Sequence, residues 1–135
     1  MPTEFIEVPS GATIPAEAIQ FLQDSIESPP HLSELTIDDI VEGSASGMGL
    51  VSLAIHEGEL AGAIYYVLGV TIKGNVLNLA LMGGTRLDEW KQALFDYSVA
   101  LHKRLGCVDV LIMSRPGWGR LFPDLKIVGH IYSLR

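Results

Sequence analysis

Apolar and polar positions alternate or recur in a pattern that predicts two helices, a strand meander, a long helix and further strands. FIEV at Phe5–Val8 reads as a short strand, and Pro9–Thr13 as a turn. A helix is predicted from Pro15 to Glu27, with Pro15 in its first turn and Ile19, Leu22 and Ile26 as its apolar stripe. Pro29 and Pro30 end it. A second, short helix follows Thr36, which stands three residues before Asp39, the spacing of a capping box. Ile37, Ile40 and Val41 supply its apolar contacts, and Gly43–Gly49 reads as a flexible connector. Leu50–His56, Glu59–Ile72 and Val76–Met82 then read as an antiparallel meander, turning at Glu57–Gly58 and Gly74–Asn75. Gly62 and Gly69 in the long middle strand suggest a bulge or bend.

The clearest helix is predicted from about Thr85 to Leu105. Leu87, Trp90, Leu94, Tyr97 and Leu101 recur at steps of three and four, so Trp90 and Tyr97 read as core anchors. Thr85 is placed to cap it, with Asp88 three residues on, and Lys103 and Arg104 suit the negative end of its dipole. Gly106 stops it. A strand at Cys107–Met113 follows, then SRPGWGRLF, with Trp118 read as a loop anchor in the core. KIVGHIYSLR reads as one last strand. Two apolar strands joined by a helix-length crossover make a parallel βαβ unit.

The length of 135 residues fits one domain over 1–135, and 48 % hydrophobic with 19 % charged residues indicates a folded chain. No apolar run reaches the roughly 20 residues of a membrane span. The first residues lack a basic start and an apolar signal core, so a cytoplasmic location is expected. Cys107 is the only cysteine and opens an apolar strand, which suits a buried small hydrophobe. Residues 1–72 carry eleven Asp or Glu and no Lys or Arg, whereas residues 73–135 carry nine Lys or Arg and five Asp or Glu. The simpler reading is that the two halves attract each other; the other is that the basic half holds an anion. A net charge of −7 argues against non-specific nucleic-acid binding. One Cys and four scattered His show no zinc spacing, so no metal is expected. Neither a Gly-x-Ser-x-Gly elbow nor a Gly-Lys-Ser/Thr phosphate loop is present.

The order of elements resembles the GNAT superfamily of acyl-CoA-dependent N-acyltransferases. That implies an α/β fold with a mixed, mostly antiparallel sheet, one parallel strand pair and helices on both faces. Residues 76–135 resemble more closely the short GNAT-like proteins of tailed bacteriophages, through Gly106-Cys107, Val108–Met113 and Arg115-Pro116-Gly117-Trp118. The resemblance implies that acetyl-CoA or CoA lies between Met82 and Ser114, its pyrophosphate held by the turn Met82, Gly83, Gly84, Thr85 and Arg86. This turn is shorter than the family's pattern, and Asp88 and Glu89 place two carboxylates beside it. Phe122 stands where the family's acid tyrosine is expected, and Asn78 lies on a strand without Asp or Glu, where a general base is expected. His130 is the candidate substitute; His102 reads as a solvated surface residue. The resemblance thus leaves two readings, an N-acyltransferase of degenerate activity and a non-catalytic phage accessory or virion protein. Ending after one last strand, the chain would expose a sheet edge to a second copy or another protein.

Overall fold

The computed structural model describes residues 3–27, 35–113, 126–128 and 131–133. The described elements run β1 (Thr3–Glu7), α1 (Ala16–Glu27), α2 (Ile37–Ser46), β2 (Gly49–His56), β3 (Glu59–Thr71), β4 (Gly74–Gly84), α3 (Leu87–Arg104), β5 (Asp109–Met113), β6 (Lys126–Val128) and β7 (Ile131–Ser133). They form one sheet in the order β1-β2-β3-β4-β5-β7-β6. Only β4 and β5 pair in parallel among these strands, from Val76 opposite Asp109 to Leu79 opposite Ile112. The α/β class, the meander and the parallel pair all follow the sequence reading.

Two apolar layers sandwich the sheet. On one face Trp90, Leu94 and Leu101 of α3 pack with Ile64, Tyr66, Leu77 and Leu79. On the other, Leu22 of α1 and Ile40 of α2 pack with Val51, Ala63, Tyr65 and Leu81. Trp90 is buried, and its indole N–H donates to the Thr85 carbonyl at 2.8 Å. Gly62 makes room for that indole, since a Cβ there would lie 2.7 Å from the ring.

Strand alternation breaks at one informative place. Leu77 and Leu79 face α3, but Leu81 joins the opposite layer. The register explains this: Tyr65 pairs with Leu81 and Tyr66 with Leu79, so Ala80 is an extra residue on β4. A β-bulge of this kind shifts the alternation and turns the strand. Leu79 is also the last β4 residue paired with β5. A second irregularity lies between Ala54 and Ile55 of β2, opposite Gly62 and Leu60, close to the bend expected at Gly62. Gly69 lies within a regular register.

Several boundaries differ from the sequence reading. The stretch read as a connector continues α2 as far as Ser46, and Gly47 then caps that helix with φ 82°. Gly43 lies inside this helix, and the Tyr65 hydroxyl occupies the place where a Cβ would stand. The Thr36–Asp39 capping box is present as expected. The last strand is two strands, β6 and β7, paired antiparallel, so the expected missing strand is supplied by the chain itself, with β6 at the sheet edge. His102 is 4 % exposed rather than solvated, because it lies one turn beyond the buried Ser98 on the same stripe. Two ion pairs tie the acidic half to the basic half: Glu57 with Arg86, and Glu7 with Arg104. This matches the simpler reading of the charge split. Among the described residues, no helix is long and apolar enough to cross a membrane.

Candidate functional site: the β4–α3 turn and the opening beside β5

β4 and β5 are joined through Leu79 and Ile112, and beyond that point β4 continues to Gly84 with no β5 partner. The bulge at Ala80 against β3 lies at this same point. Backbone N–H and C=O groups are obligatory hydrogen-bonding groups. On the β5 side, those of residues 80–84 have no strand partner among the described residues.

At the far end of β4 lies the turn expected to hold a pyrophosphate. Its two glycines are accounted for by backbone packing. A Cβ on Gly83 would lie 2.0 Å from the Phe21 carbonyl oxygen of α1, and one on Gly84 would lie 2.3 Å from the Ala61 carbonyl oxygen of β3. Met82 is buried in the α3 layer. Thr85 does not cap α3. Its N–H donates to the Ala61 carbonyl at 2.8 Å, because the β3–β4 ladder carries on past Gly84. α3 therefore starts at Leu87, and Arg86 stands at the N-cap with φ 57° and no side-chain cap. The Glu89 N–H bonds to the Arg86 carbonyl, and the remaining first-turn N–H groups form the positive end of the helix dipole.

The Arg86 guanidinium is already engaged. It donates to Glu89 at 2.6 and 2.7 Å and to Glu57 at 2.9 Å. These bonds hold the Glu89 carboxyl down to about 2, lower that of Glu57, and raise Arg86 itself. The first turn of α3 thus carries two carboxylates, Glu89 already paired with Arg86 and Asp88 near Lys91.

Behind this cluster sits His56, the last residue of β2. It is 5 % exposed. Its Nδ1 lies 2.9 Å from Thr3 Oγ1, its register partner on β1. Its Nε2 has no hydrogen-bond partner and lies 3.6 Å from Glu89 and 3.8 Å from Glu57. The sequence did not single out this grouping, because the ligand-type residues come from a hairpin turn and a distant helix.

The remaining expected residues are placed as follows. Asn78 is half-buried on β4, opposite Leu111 of β5. Cys107 is buried, and burial pushes its thiol up, as suits a small core residue. Ser114, Arg115, Pro116, Gly117, Trp118, Phe122 and His130 lie outside the described residues.

A mixed sheet covered by helices on both faces, with a parallel β4–α3–β5 unit, matches the fold of solved GNAT acetyltransferases. Solved structures carry the same architecture. The IAA acetyltransferase from Bacillus cereus aligns with TM-score 0.64 and 15 % identity, over 95 % of this chain and 79 % of its own. The ribosomal-protein-alanine N-acetyltransferase from Brucella melitensis aligns with TM-score 0.66 and 11 % identity, over 95 % and 94 %. A GNAT family acetyltransferase from Brucella melitensis, solved with acetyl-CoA, aligns with TM-score 0.60 and 13 % identity, over 98 % and 86 %. No protein-family sequence model and no curated protein matches the chain.

Proposed function

We propose that this protein binds an acyl-CoA thioester in the opening between β4 and β5, as an N-acyltransferase-like protein of degenerate catalytic power. The observation that carries this reading is the fold shared with solved GNAT acetyltransferases, some of them bound to acetyl-CoA or CoA. The free edge of residues 80–84 can bond the amides of an extended pantetheine arm, as an added strand would. The same edge can offer N–H groups to a tetrahedral oxyanion during acyl transfer to an amine. Met82, Gly83, Gly84, Thr85 and Arg86 lie toward the cofactor's phosphates, and the first N–H groups of α3 supply the positive dipole end.

Degeneracy follows from side-chain chemistry. Phe122 has no hydroxyl to reprotonate a departing thiolate, and β4 has no Asp or Glu to act as a base. General acid–base assistance is worth roughly 10²–10⁴-fold in rate. Turnover with common amines is therefore slow, with His130 as the first candidate to supply a proton relay. A second reading is favoured by the engaged Arg86 and the acidic first turn of α3. In it, the fold serves a non-catalytic accessory or virion protein of a phage, docking a partner or a second copy at the β6 edge.

Isothermal titration of the full chain with acetyl-CoA and with CoA tests the first reading. Stoichiometric binding of either supports it. No binding at millimolar concentration overturns it in favour of the second.

A further inference from the structure

We propose that His56, Glu57 and Glu89 form a binding site for a divalent transition-metal ion of the Zn²⁺ type, with the Arg86 guanidinium as its built-in competitor. This inference does not rest on the acyl-CoA reading, although Arg86 also belongs to the turn assigned there to the cofactor's phosphates.

The imidazole is the feature that points to a ligand. A buried polar atom without a partner is costly and rare. The His56 side chain is 6 % exposed, yet its Nε2 makes no hydrogen bond and faces two carboxylates at ion-pair distance, 3.6 and 3.8 Å away. In the tautomer whose Nδ1–H donates to Thr3 Oγ1, Nε2 carries the lone pair that a metal takes. A hydrogen bond on one ring nitrogen that orients the other toward a metal is the usual outer support of histidine ligands.

The distances suit a small dication. Zn²⁺ binds His nitrogen and carboxylate oxygen at about 2.0–2.2 Å, so ligand atoms of a tetrahedron lie about 3.3–3.6 Å apart. Nε2 stands 3.6 Å from Glu89 Oε1 and 3.8 Å from Glu57 Oε1, and the three ligand atoms lie within 4.8 Å of one another. Shifts of a few tenths of an ångström in two exposed carboxylates would close the site, and water would complete the coordination. One nitrogen and two oxygens favour Zn²⁺ over Mg²⁺ or Ca²⁺, which take all-oxygen shells.

Arg86 sets the occupancy. It uses Glu57 Oε2 and Glu89 Oε2, which a metal on the Oε1 atoms leaves alone. It also donates to Glu89 Oε1, which the metal needs. Metal binding therefore displaces that one bond and brings two cations together.

The test uses the tag-free full chain, stripped with a chelator. It is titrated with ZnCl₂ by calorimetry and with CoCl₂ by visible absorption. One ion per chain is expected, with Co²⁺ bands of a low-coordinate site containing nitrogen. Glu57→Gln and Glu89→Gln each weaken Zn²⁺ binding by more than about tenfold. Both residues are exposed, so these variants fold even if His56→Gln does not. Arg86→Gln binds more tightly than the wild type. The site is overturned if no Zn²⁺ binds, or if both glutamate variants bind as the wild type does. An Arg86→Gln variant that binds no tighter overturns the competition.

Discussion

Glu57 and Arg86 are the two non-glycine residues with left-handed backbone among those described, with φ of 53° and 57°, and their side chains bond to each other at 2.9 Å. One sits in the β2–β3 turn and the other at the head of α3. Side chains other than Asn, Asp and Gly resist this conformation, at a cost of order 1–3 kcal/mol each. The ion pair between them is exposed to solvent, which screens it, so it adds little stability. The pair therefore does not repay the backbone cost through stability.

Replacing Glu57 by Asn follows from that imbalance. Asn is favoured in two-residue hairpin turns where both central residues are left-handed, as Glu57 and Gly58 are. Glu57→Asn is expected to stabilise the protein by about 0.5–1 kcal/mol despite the lost ion pair. Urea denaturation at fixed pH measures it. A destabilised variant would show that the pair outweighs the strain.

Trp90 anchors α3 to the sheet, and Gly62 leaves no spare volume around it. Trp90→Ala is expected to destabilise by about 3–5 kcal/mol through the cavity it leaves and the indole bond it removes. Equilibrium denaturation followed by circular dichroism gives the value. A loss under about 1 kcal/mol, typical of surface sites, contradicts the packing described.

If a CoA pyrophosphate rests at the head of α3, the exposed carboxylate of Asp88 repels it. Asp88→Asn is expected to tighten CoA binding about two- to fivefold, the range of charge effects at a helix terminus. Calorimetry at low salt compares the two proteins. Equal affinities would place the phosphates elsewhere. Substituting Gly83 or Gly84 is a poor test, since any Cβ there collides with backbone of α1 or β3.

Burial raises the phenol groups of Tyr65, Tyr66 and Tyr97 above their ordinary value near 10. Tyr66 is fully buried and hydrogen-bonded to Ser98 Oγ at 2.6 Å. The unfolded chain releases these protons above about pH 10, while the folded chain keeps them. Stability is thus fully present below pH 10 and falls as pH rises beyond it, Tyr66 contributing up to about 1.4 kcal/mol per pH unit. Denaturant midpoints between pH 8 and 12, with phenolate absorbance, follow this. Tyr66→Phe should shallow the alkaline fall while lowering neutral stability by about 1–3 kcal/mol, since the Ser98 hydroxyl is left unpaired. An unchanged slope in that variant would assign the alkaline limb to the other tyrosines.

The sequence by itself determined the elements whose signals are local. Steps of three and four from Leu87 to Leu101 mark α3, Thr36 and Asp39 mark the start of α2, and the hairpin turns mark the meander. Crossover length decided that β4 and β5 run parallel. Tertiary structure alone decided what depends on register and on close approach between distant segments. No local pattern reveals that Ala80 is the extra residue of β4 against β3, because a bulge is defined against its partner strand. Gly83 and Gly84 look like a phosphate loop in the sequence, but only the nearby carbonyls of Phe21 and Ala61 explain why no side chain fits there. Asp88 matched the spacing for a cap by Thr85, yet the β3–β4 ladder takes the Thr85 amide and moves the helix start past it. His102 lies on a stripe that reads as polar until Ser98 is seen bonded inside the core. His56, Glu57 and Glu89 meet because a strand end, a turn and a helix head converge. The chemistry of that cluster is a property of distance in space, and spacing along the chain carries no trace of it.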